Sequence, residues 1–191
     1  VQLCTATGGE YAQQLISDRA RGSLLAWEDY RTGRYEIYAQ RVDSAGVTRW
    51  PASGAPVCTA PGDQLTPAVA SDGAGGMIVS WPDGRVGDAD LYAQKMSAAG
   101  SPEWTIDGTP VYLTPGSQFT PLTVATGDGG EILVWKQKVI ADYAIVGTRF
   151  SGAGVPLWPL TILCGAPGLR TPAAAIPDGA VAVLACALLG M

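Results

Sequence analysis

The chain of 191 residues has no histidine and only three lysines, Lys95, Lys136 and Lys138. Without histidine, Ser–His–Asp and Cys–His catalytic arrangements are excluded, because imidazole is the general base that activates their nucleophile. Charged residues make up only 15% of the chain, and the net charge is −5. A nucleic-acid partner needs a basic face that displaces counterions, and an anionic membrane surface attracts basic segments. We therefore expect neither partner.

Long apolar segments are also missing. The most apolar run, Ala180–Leu189, is shorter than the roughly 20 residues that a membrane-spanning helix needs. We expect it to form a buried strand, with the start of a truncated anchor as the alternative, and we expect no membrane insertion. No basic segment typical of a signal peptide stands at the N-terminus, so we expect a mature product or a fragment.

The four cysteines show no C-x-x-C spacing, which disfavours a zinc site in a chain without histidine. Cys4 and Cys58 occupy equivalent positions of a sequence repeat. Equivalent positions in neighbouring units normally lie beyond bridging distance, so we expect both to be core thiols. A disulfide between Cys164 and Cys186 stays open. We expect no bound metal and no cofactor.

The tryptophans reveal the repeat. Trp27, Trp81 and Trp135 are evenly spaced, and Trp50, Trp104 and Trp158 keep the same spacing. Residues 1–54 laid over 55–108 give 19 identities, whereas chance at this composition gives roughly four or five. A third unit keeps the tryptophans and glycines of the frame. A fourth unit begins near Thr171 and runs to the last residue.

Each unit has the pattern of four short strands joined by turns that contain Gly, Asp or Pro. In the second unit we predict strands at Pro67–Ser71, Met77–Trp81, Leu91–Met96 and Pro110–Leu113. Such repeated four-strand units predict an all-β, propeller-like array of four-stranded antiparallel blades. We expect one repeat domain over residues 1–191, with a leading strand at 1–6, units at about 12–65, 66–119 and 120–170, and a partial unit at 171–191.

One motif carries a resemblance to a known family. Residues 27–40 read WEDYRTGRYEIYAQ, and residues 81–94 read WPDGRVGDADLYAQ. This pattern resembles the W-x-D-x-R-x-G-x-x-[DE]-[IL]-Y-A-Q repeat of bacterial secreted β-propeller-like proteins. The resemblance covers about residues 1–160 and implies the propeller-like fold and an extracellular or cell-surface location. It implies no particular activity.

The polar residues of this motif are the candidate ligand-binding residues. Asp29 and Arg31 recur as Asp83 and Arg85, and the two acidic residues Glu36 and Asp90 also correspond. Because a catalytic site is normally one asymmetric constellation, we expect the repeated pairs to stabilise the turn between the second and third strands. Contact with a repeated ligand is the alternative. The carboxylates around Asp83 could also surround a calcium ion, although a solvated turn is the preferred interpretation.

The second tryptophan set gives another candidate site. Trp50, Trp104 and Trp158 lie in loops before the fourth strands. We expect their indoles to cover the blade edges, and stacking on a sugar ring is the alternative. The set of Trp27, Trp81 and Trp135 is expected to fill the space between blades.

The sequence therefore favours a non-enzymatic extracellular or cell-surface structural or interaction module. A carbohydrate-binding propeller and a scaffold fragment of a larger secreted hydrolase are the alternatives. Open strand edges predict a protein partner or self-association.

Overall fold

The computed structural model describes residues 2–113, 115–139, 142–159 and 161–165. These residues form strands, turns and loops without any helix. Accordingly, they contain no helix that could cross a bilayer. The predicted fourth unit, the run Ala180–Leu189 and the pairing of Cys164 with Cys186 lie outside the residues whose side chains are described.

The strands form three antiparallel sheets of four strands, each paired in sequence order. Sheet 1 contains β1 (Glu10–Ser17), β2 (Ser23–Asp29), β3 (Glu36–Val42) and β4 (Ala55–Cys58). Sheet 2 contains β5 (Ala68–Ser71), β6 (Met77–Asp83), β7 (Asp90–Met96) and β8 (Thr109–Tyr112). Sheet 3 contains β9 (Gln118–Ala125), β10 (Glu131–Val139), β11 (Asp142–Phe150) and β12 (Thr161–Gly165). The expectation of an all-β, antiparallel architecture is confirmed.

The observed strands of sheet 2 lie close to the predicted ones, except that β6 continues past Trp81 to Asp83. The ladder extends because Trp81 pairs with Tyr92 and Asp83 pairs with Asp90. Asp83 therefore belongs to the strand, and the expectation that it lies in the turn is wrong. This position places the Asp83 carboxylate on the same face as Trp81, since side chains alternate along a strand.

The expected leading strand at residues 1–6 is not observed in the described part, residues 2–6. A strand requires a neighbour that accepts its backbone hydrogen bonds. Instead, the Thr5 amide donates to the Ser53 hydroxyl at 3.1 Å, and Cys4 lies against the Ser53 carbonyl. Thr59 repeats this contact in the next unit, because its amide donates to the Asp107 carboxylate at 2.9 Å.

The hydrophobic core lies between neighbouring sheets. One cluster joins Leu24 and Ile37 of sheet 1 to Met77 and Trp81 of sheet 2. A second cluster joins sheet 2 to sheet 3, and its members are Leu91, Leu133, Trp135, Ala144 and Val146. Trp81 and Trp135 are both 0% exposed. As expected, these indoles fill the space between sheets, where aromatic side chains contribute much of the buried area.

The first strands of the three sheets are neighbours, and β5 contacts both β1 and β9. At the opposite side, the edge strands β4 and β8 carry the exposed prolines Pro56 and Pro110. Proline on an edge strand removes a backbone donor and hinders the addition of a further strand. The described sheets do not close into a ring.

Candidate functional site

The repeated polar motif forms a compact unit at the end of β2. Asp29 accepts a hydrogen bond from Trp27 Nε1 at 2.9 Å and two from the Arg31 side chain, at 2.7 Å from Nε and 2.6 Å from Nη2. Arg31 Nη2 also donates to the Ser53 carbonyl at 2.7 Å, and its guanidinium lies 3.8 Å from the centroid of the Tyr38 ring. Such bidentate, charge-assisted contacts are among the strongest that a protein makes.

Sheet 2 contains the same unit. Asp83 accepts from Trp81 Nε1 at 2.8 Å and from both Nε and Nη2 of Arg85, at 2.9 and 2.6 Å. The Arg85 guanidinium reaches the Asp107 carbonyl at 2.7 Å and lies 3.9 Å from the centroid of the Tyr92 ring. We call the two assemblies the Trp–Asp–Arg units. In both, the indole and guanidinium donors of the motif already have partners inside the protein.

The electrostatics of these units agree with an internal role. Burial would raise the pKa of Asp29, but the hydrogen bonds from Arg31 and Trp27 outweigh burial and lower it. Burial raises the pKa of the nearby Cys58 thiol to about 12. The Cys58 thiol therefore remains protonated near neutral pH and is a poor nucleophile.

Sheet 3 lacks this unit, because Gln137 stands where the other sheets have aspartate. The Gln137 amide donates to the Gly116 and Lys138 carbonyls at 3.2 and 3.0 Å. The buried Trp135 Nε1 has no hydrogen-bond partner among the residues that the structure describes. An unpaired buried donor costs about 1–3 kcal/mol, so the third unit tolerates a loss that the Trp–Asp–Arg units avoid.

The Trp50 side chain joins sheet 1 to sheet 2. Its exposed fraction is 5%, and its Nε1 donates to the Ala98 carbonyl at 3.0 Å. The ring covers Gly100, where a Cβ atom would stand 2.6 Å from the indole. This agrees with the expected covering role and leaves little of the Trp50 ring for a sugar.

Trp104 repeats this contact between sheets 2 and 3. Its Nε1 donates to the Gly152 carbonyl at 3.2 Å, and its ring lies on Gly154, where a Cβ atom would be 3.0 Å away. Trp104 and Trp158 are both half-buried. Stacking on a sugar stays a prediction for these two indoles.

The contact between Trp50 and Gly100 leads to a stability prediction. Gly73 and Gly100 share a φ of 79°, but a Cβ at Gly73 would meet nothing within 4 Å. We expect Gly73→Ala to cost about 1–2 kcal/mol of left-handed backbone strain. Gly100→Ala should cost about 1–3 kcal/mol more, because it also overpacks the indole. Urea denaturation of both variants measures the difference, and equal losses would contradict the packing contact.

Glu131 is a buried carboxyl that sequence reasoning missed. Its side chain is 0% exposed, and one oxygen accepts a hydrogen bond from the Thr123 hydroxyl. The other oxygen has no partner within the described part of the chain. Burial raises the pKa of Glu131 to about 7. Ser23 and Met77 occupy the equivalent positions, so the break in the repeat was a signal available in the sequence.

One group of three potential metal ligands occurs among the described residues. Oxygen or sulfur atoms of Cys4, Glu10 and Asp29 lie within 4.8 Å of one another. However, the Asp29 carboxylate is engaged by Arg31, whose Nη2 also approaches Cys4 Sγ at 3.6 Å. A guanidinium in this position repels a cation, so the donor set does not suit a metal ion.

The acidic turn between Asp83 and Asp90, for which the sequence suggested a calcium site, is exposed at residues 86–88. Asp88 accepts from the Gly116 amide at 3.1 Å. Burial raises the pKa of Asp90, and the charges of Asp88 and Asp83 raise it further. Asp83 itself is bound by Arg85. The solvated turn therefore stays the preferred prediction for these residues.

No protein-family model matches the chain, and no curated protein matches it significantly. Among solved structures, it is similar to an endo-arabinase from Bacteroides thetaiotaomicron VPI-5482, with a TM-score of 0.50 and 17% identity over 88% of this chain and 64% of that one. It is also similar to an N-acetylgalactosamine deacetylase from F. plautii, solved with blood group B trisaccharide, with a TM-score of 0.47 and 12% identity over 76% and 50% of the two chains. The chain spans less than two thirds of either protein. At these identities, the first likeness concerns the fold alone, and the second is too weak to support an argument.

Proposed function

We propose that this chain is a non-enzymatic structural or interaction module that works outside the cell or at its surface. The observation that carries the proposal is the use of the motif residues inside the protein. Asp29 binds Arg31, and Asp83 binds Arg85, while each arginine also donates to a nearby backbone carbonyl. Asp and Arg side chains that are engaged in this way have a structural role in the repeat rather than a catalytic one.

Two further observations support a role without catalysis. Glu131 is 0% exposed and accepts a hydrogen bond from the Thr123 hydroxyl, so its carboxyl group is not open to a substrate. The Cys58 thiol is buried beside Asp83 with a pKa raised to about 12. Arg85 Nη2 lies 3.3 Å from Cys58 Sγ, but burial outweighs the charge of Arg85, so the thiol is not activated.

The architecture that suits this role is a propeller-like array. Sheets 1, 2 and 3 pack through shared clusters, and their first strands lie together. Repetition of a four-stranded sheet around a common side is the arrangement of propeller blades. A protein partner or a second copy remains the proposed binding partner at the open edges, with β4 and β8 disfavoured by their exposed prolines.

Saccharide binding is the second candidate function. It is supported by an uncharged cleft between the first strands, and it is in keeping with the likeness to an endo-arabinase. The same likeness also suits a scaffold segment of a larger secreted hydrolase. Because the likeness concerns the fold alone, both candidates remain proposals.

Product analysis tests the absence of catalysis. The purified chain is incubated with neutral and acidic oligosaccharides and polysaccharides, and products are separated by anion-exchange chromatography. We expect no product above a buffer control. Product formation that scales with protein concentration and follows the protein through two purification steps would contradict the proposal.

A further inference from the structure

Three residues in or beside the first strands adopt an unusual backbone conformation. The φ angles of Ala12, Thr66 and Thr120 are 48°, 43° and 45°, and the residues occupy equivalent positions of successive repeats. Positive φ is a genuine outlier for a β-branched residue such as threonine. Each such conformation costs about 1–3 kcal/mol and persists where the surroundings impose it.

The local cause is a bulge opposite a core tryptophan. In sheet 1, the register shifts between Tyr11 and Gln14, so that two residues face Trp27. In sheet 3, Thr120 and Pro121 together face Trp135 in the same way. In a β-bulge, the strand bends and one residue leaves the ladder. These bulges therefore turn backbone segments away from the sheets.

Beside sheet 2, a contact with sheet 1 holds the positive φ of Thr66. The Thr66 amide donates to the buried Glu28 carboxylate at 2.6 Å. Pro67 follows and has no amide hydrogen to continue the ladder. The hydrogen bond to Glu28 and the following proline together stabilise the positive φ of Thr66.

The three segments enclose one cavity. It has a volume of about 320 Å³ and opens where β1, β5 and β9 meet. Besides the three residues of positive φ, its lining includes Gln14 and Leu122. Ala12, Thr66 and Thr120, with their positive φ, are all in this lining. We call this cavity the first-strand cleft.

Thr66 and Thr120 of the first-strand cleft keep a strained conformation that glycine would adopt without strain. Fourteen described glycines have positive φ, and they supply this conformation without strain. The only β-branched residues of positive φ in the described ranges are Thr66 and Thr120. Glycine would relieve the strain at both positions, and the threonine hydroxyls would be lost with it. Strain that is kept at a cavity motivates the hypothesis that the two threonine hydroxyls act there, while Ala12 keeps the same conformation without a hydroxyl.

The chemistry of the lining indicates the class of ligand. The lining residues include no charged side chain. The hydroxyls of Thr66 and Thr120 can both donate and accept hydrogen bonds, and Gln14 adds an amide. Leu122, which is 36% exposed, adds apolar surface. A neutral molecule with hydroxyl groups on an apolar ring matches this combination, and the volume is at the lower end of small-ligand sites.

We propose that the first-strand cleft binds a neutral saccharide through the hydroxyls of Thr66 and Thr120. The proposal rests on the proposed function of a non-enzymatic module and gives that module a ligand class and a site. An acidic saccharide is disfavoured, because the lining has no cation to pair with a carboxylate and the chain carries a net charge of −5.

The test measures binding of short gluco-, galacto- and arabino-oligosaccharides by saturation-transfer NMR and calorimetry, with oligogalacturonate as the acidic comparison. The variant Thr66→Val/Thr120→Val removes both hydroxyls and keeps the shape. The control Thr32→Val makes the same change in an exposed turn. We expect at least one neutral probe to bind and the double variant to weaken it about tenfold or more, with Thr32→Val unchanged and oligogalacturonate not bound.

A second variant separates binding from folding. Thr66→Gly/Thr120→Gly removes the hydroxyls and the strain, so we expect it to lose binding while its melting temperature stays equal to or above that of the parent chain. No binding of any neutral probe, equal binding by both double variants and the parent, or a lowered melting temperature of the glycine variant would overturn the cleft proposal. Product formed in the same mixtures would instead overturn the non-enzymatic function, whichever variants bind.

Discussion

Replacing Asp83 with alanine is expected to lower the free energy of unfolding by about 3–5 kcal/mol. Asp83 is 0% exposed and holds Trp81 and Arg85 at the same time. Its removal leaves a largely buried guanidinium without its counterion and an indole N–H without an acceptor. Both losses act on the unfolding free energy in the same direction, because each group keeps full hydration only in the unfolded chain.

Urea denaturation followed by tryptophan fluorescence measures this loss. Glu103→Ala is the matched control, because it removes a carboxylate from the Lys95 ion pair, whose acidic side chain is 43% exposed. The Lys95 side chain is 15% exposed, but water screens the pair at its exposed carboxylate, so we expect the pair to contribute about 0–1 kcal/mol. A loss at Asp83 no larger than the loss at Glu103 would show that the Trp–Asp–Arg unit does not stabilise the blade.

Sheet 3 suggests a double substitution that lowers the free energy of unfolding less than Asp83→Ala does. At the corresponding positions it has Gln137 and Val139 in place of aspartate and arginine. Replacing a buried ion pair as a whole costs less than breaking it, because no unpaired charge remains. The double variant Asp83→Gln/Arg85→Val, which copies sheet 3, is therefore expected to be more stable than Asp83→Ala.

The repeat made much of the architecture predictable. Alternation and turn residues located the strands of sheet 2 because their short runs are bounded by Gly, Asp and Pro. The even spacing of the tryptophans also assigned Trp81 and Trp135 to equivalent core positions. The end of β6 was misplaced because proline normally marks the end of a strand, whereas Pro82 lies within β6.

The first-strand cleft could not be predicted from strand patterns and turn residues. Its walls come from Ala12, Thr66 and Thr120, which belong to three different repeats, and no propensity favours positive φ at threonine. The dipeptides Thr66-Pro67 and Thr120-Pro121 were a visible repeat signal, but they indicate only a break in the strand. The partners of Trp50 and Trp104 were likewise hidden, because each belongs to the next sheet.

Glu131→Gln is expected to make the protein more stable at alkaline pH by up to about 3 kcal/mol. Burial raises the pKa of Glu131 from 4.5 in the unfolded chain to about 7 in the folded one. Between these values, the folded state binds more protons than the unfolded state, so the free energy of unfolding falls as pH rises. Below pH 4.5, both states are protonated and the variant should resemble the parent chain.

Chemical denaturation across the range from mildly acidic to mildly alkaline pH tests this dependence. The parent chain should lose stability up to about pH 7 and then level off, while Glu131→Gln should lack this component of the slope. Glutamine retains an oxygen that can accept the hydrogen bond from Thr123. Glu103→Gln, which makes the same change at an exposed position, serves as the control. If parent and Glu131→Gln curves run parallel across the whole range, Glu131 does not titrate in the folded protein as its burial requires.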